Sequence, residues 1–199
     1  MDGQRIMDIA KDCWRIEAEQ IARLSDSMGK EVGDVVGAIA ACKGKVIVSG
    51  CGTSGAAARK IAHSLSCVER PALFLSPADA VHGALGVLQR DDILVLISKG
   101  GNTAEIINLI PACKTKGAML IGMTENESSA LARESDILLK VRAEREPCPF
   151  NMLATASTML VVAVFDAICI ALMHETGYTK EQFAVIHPGG VVGEKLLNK

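Results

Sequence analysis

Residues 93–108, ILVLISKGGNTAEIIN, change character twice within sixteen residues and constrain the fold more than any other stretch. Residues 93–97 are a short apolar run without alternation, which is typical of a strand covered on both faces in a parallel sheet. Residues 98–103 then bring hydroxyls, two glycines and a lysine, and helical spacing resumes at 104–107. A strand, a glycine-bearing loop and a helix start aim free backbone N–H groups at one spot beyond the sheet. That spot suits an anion, most simply a phosphate.

Length and composition limit the possible functions. The 199 residues amount to one domain, and an apolar content of 49% is enough to bury a sizeable core. A net charge of −2 and an aromatic content of 3% leave little for a nucleic-acid surface, which needs a basic stripe and stacking rings. We therefore expect no nucleic-acid partner.

Cysteine usage and the amino-terminal sequence bear on the compartment. The seven cysteines are an odd number, and the closest pair is nine residues apart, so there is no CxxC motif for zinc or redox chemistry. Free thiols in a reducing cytosol are expected. The first residues, MDGQRIMDIAKDCW, carry charges throughout and lack the apolar core of a signal peptide. We therefore predict a cytoplasmic protein.

The order of the segments predicts the architecture. Two amphipathic helices, at about 2–27 and 31–42, form an arm over residues 1–44 that packs on its own domain or on a partner subunit. In the domain that follows, residues 45–199, strands are predicted at 46–48, 72–75, 93–97, 118–123 and 137–139. Helices are predicted between them at 56–66, 76–82, 103–116 and 128–133. This alternation predicts an α/β fold with a three-layer, doubly wound, five-stranded parallel sheet in the flavodoxin-like order 2-1-3-4-5.

Residues 152–173 form the one ambiguous segment. These 22 residues carry Asp166 as their only charge and pass a crude test for a membrane span. Thr155, Ser157 and Thr158 also lie inside the segment, and no basic cluster flanks it. We predict a helix buried in the protein or at a subunit interface, with Thr155 or Ser157 as its N-cap, and no membrane partner.

A dinucleotide site is the first alternative for the glycine loops. Gly50, Gly52 and Gly55 match GxGxxG after a strand. That site also needs an acidic residue at the end of the second strand, where Ser76 stands, while Glu69 falls before the strand. No GxxxxGK[ST] motif occurs either. Both nucleotide motifs are therefore disfavoured.

The two glycine loops, 50–55 and 98–103, follow strands one and three. In the predicted sheet these strands are neighbours at the point where the connections reverse, so both loops face one crevice. Three hydroxyls and the helix beginning near Asn102 could bind an anion there, the hydroxyls being those of Ser54, Ser98 and Thr103. Alternatively, these side chains merely cap helices. Because the two loops converge, we favour a phosphate site.

These motifs resemble the SIS domain, the sugar-phosphate isomerase and phosphosugar-binding fold. The chain is most similar to its D-arabinose-5-phosphate isomerases, over residues 46–197. The resemblance rests on GCGTSG at 50–55, AVHGALG at 80–86, ISKGGNTAEI at 97–106, EPCP at 146–149 and HPGGVVGEKLL at 187–197. The last two motifs are the more specific, because glycine loops recur in many α/β proteins.

The resemblance implies an aldose–ketose isomerase that acts on a phosphorylated sugar through a cis-enediol. It implies homotetramers, or else dimers, in which a neighbouring subunit completes each active site, and no metal or other cofactor. The phosphate would be held by Thr53, Ser54, Ser98, Gly101, Asn102 and Thr103. Glu146 would be the base, with His187 and His82 in ring opening or proton shuttling, because the reaction needs an acid and a base.

Two departures from the family pattern weaken the isomerase interpretation. Thr53 stands where the isomerases have lysine in GxGKSG, and Asn102 stands where they have glutamate in SxSGES. The lost ammonium would weaken stabilisation of the enediolate, and the lost carboxylate removes a candidate base. Lys99 could point into the same crevice, although a solvated lysine is the expectation. A non-catalytic phosphosugar sensor is therefore the alternative, and a lyase acting on amino-sugar phosphate ethers is a weaker one.

Other features receive plainer interpretations. His63 and His174 are expected to be half-buried polar residues, and Cys51 and Cys148 to serve packing. Full-length family members commonly carry a pair of regulatory CBS modules after the HPGG tail. Since the sequence stops at Lys199, we expect no regulation through such modules.

Overall fold

A computed structural model describes residues 2–188, and its centre is a sheet of five parallel strands. The strands are β1 Val46–Gly50, β2 Ala72–Phe74, β3 Ile93–Ile97, β4 Met119–Thr124 and β5 Ile137–Lys140. Their order in the sheet is β2-β1-β3-β4-β5, with every neighbouring pair parallel. The predicted fold class and strand order are confirmed.

Ten α-helices and one 3₁₀-helix are described between and around these strands. The helices are α1 Gly3–Ala22, α2 Leu24–Ser27, α3 Lys30–Ala41, α4 Gly52–Ser66, α5 Pro77–Ala80, α6 Ala104–Ile107, α7 Ile110–Lys116, α8 Ala130–Glu134, α9 Ala156–Glu175 and α10 Lys180–Ile186, and the 3₁₀-helix is Ala84–Val87. The sequence also predicts a last, basic helix at 191–197, and this segment lies outside the described residues.

Burial of β3 on both faces creates the three layers. Val95 and Ile97 pack on one side with α3, α4 and α9, where Ile39, Ile61 and Phe165 are fully enclosed. Leu94 and Leu96 pack on the other side in a second core. That second core also contains Leu88, Ile106, Leu109 and Leu120. An apolar run without alternation was the sequence signature of this two-sided burial.

Two predicted helices are each divided in the structure. The segment expected as one helix over 103–116 splits into α6 and α7, with Pro111 near the start of α7. Proline lacks an N–H and its ring clashes with the carbonyl four residues back, so a helix cannot run through it undisturbed. The arm helix expected over 2–27 is divided at Arg23, whose carbonyl accepts from Asp26 N in a tighter turn.

Helix α3 of the arm packs in the core, whereas α1 packs on the domain mainly near its carboxyl end. Near the end of α1, Gln20 is buried, and its side-chain oxygen accepts from the backbone N–H of Glu144 at 2.8 Å. In the first part of α1, Ile6, Ile9 and Trp14 are each more than half exposed. The apolar stripe of α1 is therefore only partly covered by the residues that the structure describes.

Helix α9 has the length and composition to cross a membrane. Along one side it lies in the core, through Leu160, Val164, Phe165, Ile168 and Leu172. Met159 and Ile170 on its other side are exposed. Packing against α1, α3 and α4 agrees with the predicted buried helix.

Candidate functional site

The first glycine loop is the first turn of a helix. The helix expected at 56–66 begins already at Gly52, with Cys51 as its N-cap. A Cβ atom on Gly55 would lie 2.6 Å from the carbonyl oxygen of Gly50, so only glycine allows this turn to press against the end of β1. This contact between Gly55 and Gly50 brings the amino end of α4 to the edge of the sheet, where the free N–H groups of the helix favour an anion.

A cavity of about 110 Å³ opens beside this turn, between α4, the second glycine loop and the start of α9. It is smaller than the pockets of about 300–1,000 Å³ that enclose drug-sized ligands, so a ligand of that size would extend from it towards the surface. Its polar lining consists of Thr53, Ser54, Lys99, Thr124, Ser157 and Thr158. Apolar side chains close its base, including those of Ala57, Ile97, Met123 and Val161.

Lys99 differs from its expected role as a solvated surface residue. Its side chain lines the cavity together with Thr53 and Ser54, and it remains 43% exposed. Its ammonium Nζ lies 3.1 Å from Oε1 of Glu146. The expectation of a solvated lysine is therefore met in part: the side chain stays exposed, but a buried carboxylate holds its ammonium at the crevice.

Ser98 and Thr103 bond to each other. Their hydroxyl oxygens are 2.9 Å apart, and Ser98 Oγ also accepts from the backbone N–H of Gly101 at 3.1 Å. Ser98 is only 3% exposed, and Thr103 begins α6 without a side-chain capping bond. Both hydroxyls therefore make their hydrogen bonds within the second glycine loop.

Gly101 and Asn102 face α8. Gly101 has φ +70°, and a Cβ atom there would lie 2.1 Å from Ser129 Oγ. The side-chain oxygen of Asn102 accepts from the backbone N–H of Ala130 at 2.9 Å. These two residues therefore join the second loop to the start of α8.

Glu146 is buried, with 5% of its surface exposed, and it caps α9. Its Oε2 accepts from the backbone N–H groups of Thr155 at 3.1 Å and Ser157 at 3.2 Å, while Oε1 faces Lys99. Thr155 is the N-cap residue of α9, as predicted, but its side chain makes no capping bond, because the buried carboxylate of Glu146 already satisfies the free N–H groups. Burial acts to raise the pKa of Glu146, but hydrogen bonds from Ser157, Lys99 and Thr155 outweigh burial and lower the pKa.

His82 and His187 lie at different ends of the sheet. His82 is exposed on the turn after α5, which follows β2 at the carboxyl edge. His187 ends α10, where its ring stacks on Phe183 with the centroids 3.9 Å apart. The hydroxyl of Tyr178, just before α10, bonds to the carbonyl of Cys67 at the far end of α4. Since α4 is 15 residues long, about 22 Å, α10 begins far from the crevice, and His187 is not among the described residues that line the cavity.

A second, more open crevice lies on the other side of the first glycine loop. Its lining includes Cys51, Ser76, Glu105 and Arg59. The guanidinium of Arg59 lies 3.9 Å from the ring centre of Phe74. The first loop thus has one cation on each side.

The family model of the SIS domain matches residues 39–171. The chain belongs to the SIS domain family. The match begins within α3 and ends within α9, so it includes the sheet and the lining of the cavity.

Curated relatives of this SIS-domain chain are isomerases. Arabinose 5-phosphate isomerase KdsD of Pseudomonas aeruginosa is 38% identical over 92% of this chain and 56% of its own length. Arabinose 5-phosphate isomerase GutQ of Escherichia coli K12 is 34% identical over 99% of this chain and 61% of its own length. The chain therefore spans little more than half the length of these relatives.

Solved structures share the SIS fold over almost the whole chain. A candidate sugar-phosphate isomerase of Listeria monocytogenes is 59% identical, with a TM-score of 0.94 over 95% of this chain and 100% of that one. An Escherichia coli CFT073 protein in complex with arabinose 5-phosphate is 31% identical, with a TM-score of 0.91 over 94% of this chain and 100% of that one.

The sequence did not predict three of the polar residues that line the cavity of this SIS domain. Thr124, Ser157 and Thr158 line it but were not predicted to do so. Hydroxyl side chains at the start of an otherwise apolar helix were the available signal that this end of α9 faces a polar site. Their approach to the glycine loops, however, depends on the path of residues 141–155, for which the sequence has no periodic pattern.

Proposed function

We propose that this chain binds a phosphorylated aldose at the carboxyl edge of β1 and β3 and isomerises it to the ketose through a cis-enediol. Arabinose 5-phosphate, with ribulose 5-phosphate as the product, is the proposed substrate pair. The observation that carries the proposal is the cavity that gathers a helix amino end, several hydroxyls and the ammonium of Lys99. The isomerases among the relatives support the reaction class.

The reaction needs groups that move protons. An acid and a base open the sugar ring, and a base then carries a proton between adjacent carbons. His82 is exposed at the carboxyl edge of the sheet and could act from this subunit. We propose that His187 of the partner subunit supplies the second group, because the chain's own His187 lies at the opposite edge. Both carboxylate oxygens of Glu146 are engaged by Lys99 and by the start of α9, so Glu146 is not proposed as either group.

We also propose a cytoplasmic homotetramer with shared active sites. The position of α10 supports sharing, as does the apolar surface of α1, where Ile6, Ile9 and Trp14 are exposed. All seven cysteines are free thiols, which supports a reducing compartment.

Proton NMR in D₂O tests the isomerase proposal directly. The protein is incubated with arabinose 5-phosphate and, separately, with other pentose and hexose phosphates. We expect deuterium to replace the proton on carbon 2 of arabinose 5-phosphate while ribulose 5-phosphate appears, with the same rate after EDTA treatment. Binding of the sugar phosphate without exchange would instead establish the sensor.

One observation favours that second function. The lowered pKa of Glu146 makes its carboxylate a weak base at neutral pH, and Asn102 stands where the related isomerases have a glutamate. A protein that binds a phosphosugar without turnover would need neither carboxylate as a base.

A further inference from the structure

Among the described residues that line the cavity, Lys99 is the one cation. A phosphate group brought into this cavity would meet its ammonium together with the hydroxyls of Thr53, Ser54, Ser157 and Thr158. Ammonium and phosphate form charge-assisted hydrogen bonds, which are roughly twice as strong as neutral ones. Lys99 is therefore the residue whose charge matters most for an anion at this place.

Both ends of Lys99 are held in place. Its backbone carbonyl accepts from the Thr124 hydroxyl at 2.8 Å and from the backbone N–H of Glu125 at 3.0 Å. Its Nζ is held 3.1 Å from Glu146 Oε1. A free lysine loses much rotamer freedom on binding a ligand, so a side chain already held in position binds at lower entropic cost.

Glu146 is itself a rigid anchor. Its side chain is 2% exposed, and Oε2 receives two backbone N–H groups from the start of α9. Its own backbone N–H donates to Asn151 Oδ1 at 2.6 Å. An ammonium has three N–H donors, so the bond to Glu146 leaves two for a ligand.

We propose that Lys99 binds the phosphate of the sugar phosphate, and that Glu146 is a positioning residue that holds the Lys99 ammonium in the cavity instead of abstracting the substrate proton. The proposal rests on the proposed function for the identity of the ligand. It explains why the first glycine loop can carry Thr53 in place of a lysine, because Thr53 and Lys99 line the same cavity. The positive charge comes from the second loop.

Isothermal titration calorimetry with inorganic phosphate and with arabinose 5-phosphate tests the binding role. Lys99→Met removes the charge but keeps an unbranched chain, and we expect it to weaken both affinities by about tenfold or more. Arg59→Met removes the cation on the other side of the same loop and is the matched control, with an expected change below about twofold. Circular dichroism verifies that each variant is folded.

A second-site variant separates a binding role from a structural one. Adding Thr53→Lys to Lys99→Met returns an ammonium to the same cavity, and we expect it to recover most of the lost affinity. Equal affinities of the wild type and Lys99→Met would overturn the proposal, as would a larger loss in Arg59→Met. It would also be overturned if the wild type bound neither phosphate nor arabinose 5-phosphate.

Steady-state kinetics distinguish the two roles of Glu146. Glu146→Gln keeps the size of the side chain but not its charge. A positioning role predicts that KM rises by about tenfold while kcat falls less than that, with an unchanged acidic limb in the pH profile of kcat/KM. A fall in kcat of about a hundredfold at nearly constant KM would instead show that Glu146 is the base.

The experimental outcomes distinguish failure of the proposed role of Lys99 from failure of the proposed isomerase activity. If the wild type binds arabinose 5-phosphate without turning it over, the isomerase proposal fails, and the calorimetry of Lys99→Met still decides the binding role. If turnover occurs and Lys99→Met binds and reacts as the wild type does, only the role of Lys99 fails.

Discussion

The side-chain oxygen of Asn102 lies 2.9 Å from the backbone nitrogen of Ala130 and accepts its hydrogen bond. Ala130 begins α8, so Asn102 satisfies a helix N–H group from a loop 28 residues earlier in the sequence. At this position the arabinose-5-phosphate isomerase pattern has a glutamate. In this chain the residue links the second glycine loop to α8.

Asn102→Ala should reduce stability, because it leaves the N–H group of Ala130 without its partner. We expect a loss of about 1 kcal/mol in the free energy of unfolding, measured by urea denaturation. Asn102→Asp keeps an acceptor and should retain nearly all of the stability. Asn108→Ala, an exposed asparagine at the end of α6, is the control and should change stability by less than about 0.5 kcal/mol. Equal losses in the two alanine variants would contradict the capping role.

Gly101→Ala should be strongly destabilising. A Cβ atom would lie 2.1 Å from Ser129 Oγ, and the residue has φ +70°. We expect a loss of more than about 2 kcal/mol in the free energy of unfolding, from the clash and the backbone strain together. At the neighbouring Gly100, no atom of residues 2–188 lies within 4 Å of a Cβ position, so Gly100→Ala is a matched control. Similar urea midpoints for the two variants would refute this packing.

Stability should fall in acid through Asp92. Its buried carboxylate accepts from Lys45 Nζ and from the backbone N–H of Gln89, both at 2.7 Å. Burial acts to raise the pKa of Asp92, but the hydrogen bonds from Lys45 and Gln89 lower it overall. Because the pKa of Asp92 is lower in the folded state, the stabilisation from its ionised carboxylate is complete above the unfolded-state pKa of about 3.9. It is lost as the pH falls through the lower folded-state pKa.

Asp92→Asn should therefore cost about 1–3 kcal/mol at pH 7 and reduce the further loss on acidification. Urea midpoints at pH 7 and at low pH measure both effects. Asp91→Asn changes an exposed neighbour and should leave the wild-type profile intact. An unchanged acid profile in Asp92→Asn would show that other carboxylates dominate.

Subunit mixing tests the shared active site. Thr53→Asp puts a repelling charge into the cavity, and His187→Ala removes the histidine proposed to come from a partner. Each homogeneous variant should be nearly inactive. If each site takes one residue from each of two subunits, refolding an equal mixture should restore about one quarter of the wild-type activity, since half of the cavities and half of the histidines are intact. No recovery would place both residues of one site in the same chain.

The cysteines should react in a definite order. Backbone N–H groups of Leu153 and Met152 donate to the Cys148 sulfur and lower the pKa of its thiol. Burial raises the pKa of Cys113 and of Cys169 to about 11. Because the thiolate is the reactive form, iodoacetamide at neutral pH should label Cys148 first and these two last, as followed by peptide mass spectrometry. Labelling of Cys113 before Cys148 would contradict the order.

Local sequence was enough to predict the sheet and its two glycine loops. The apolar run at 93–97 is buried on both faces, and the flavodoxin-like order followed from alternating strands and helices. The predicted helix boundaries failed at Pro111 and Gly52, where a proline and a close backbone approach overrode the apolar periodicity. The predicted catalytic and phosphate-binding roles remain predictions, although Thr53 and Ser54 do line the cavity.

The sequence by itself determined the fold class, because strand burial and helix periodicity depend on neighbours along the chain. It also predicted an anion site at the glycine loops, since a glycine loop between a strand and a helix exposes N–H groups whatever surrounds it. Only the tertiary structure decided which charges meet there. Lys99 and Glu146 are 47 residues apart in sequence, and their pairing depends on how the segment after β5 crosses to the start of α9. No local pattern encodes that path, because it is selected by packing of the whole domain.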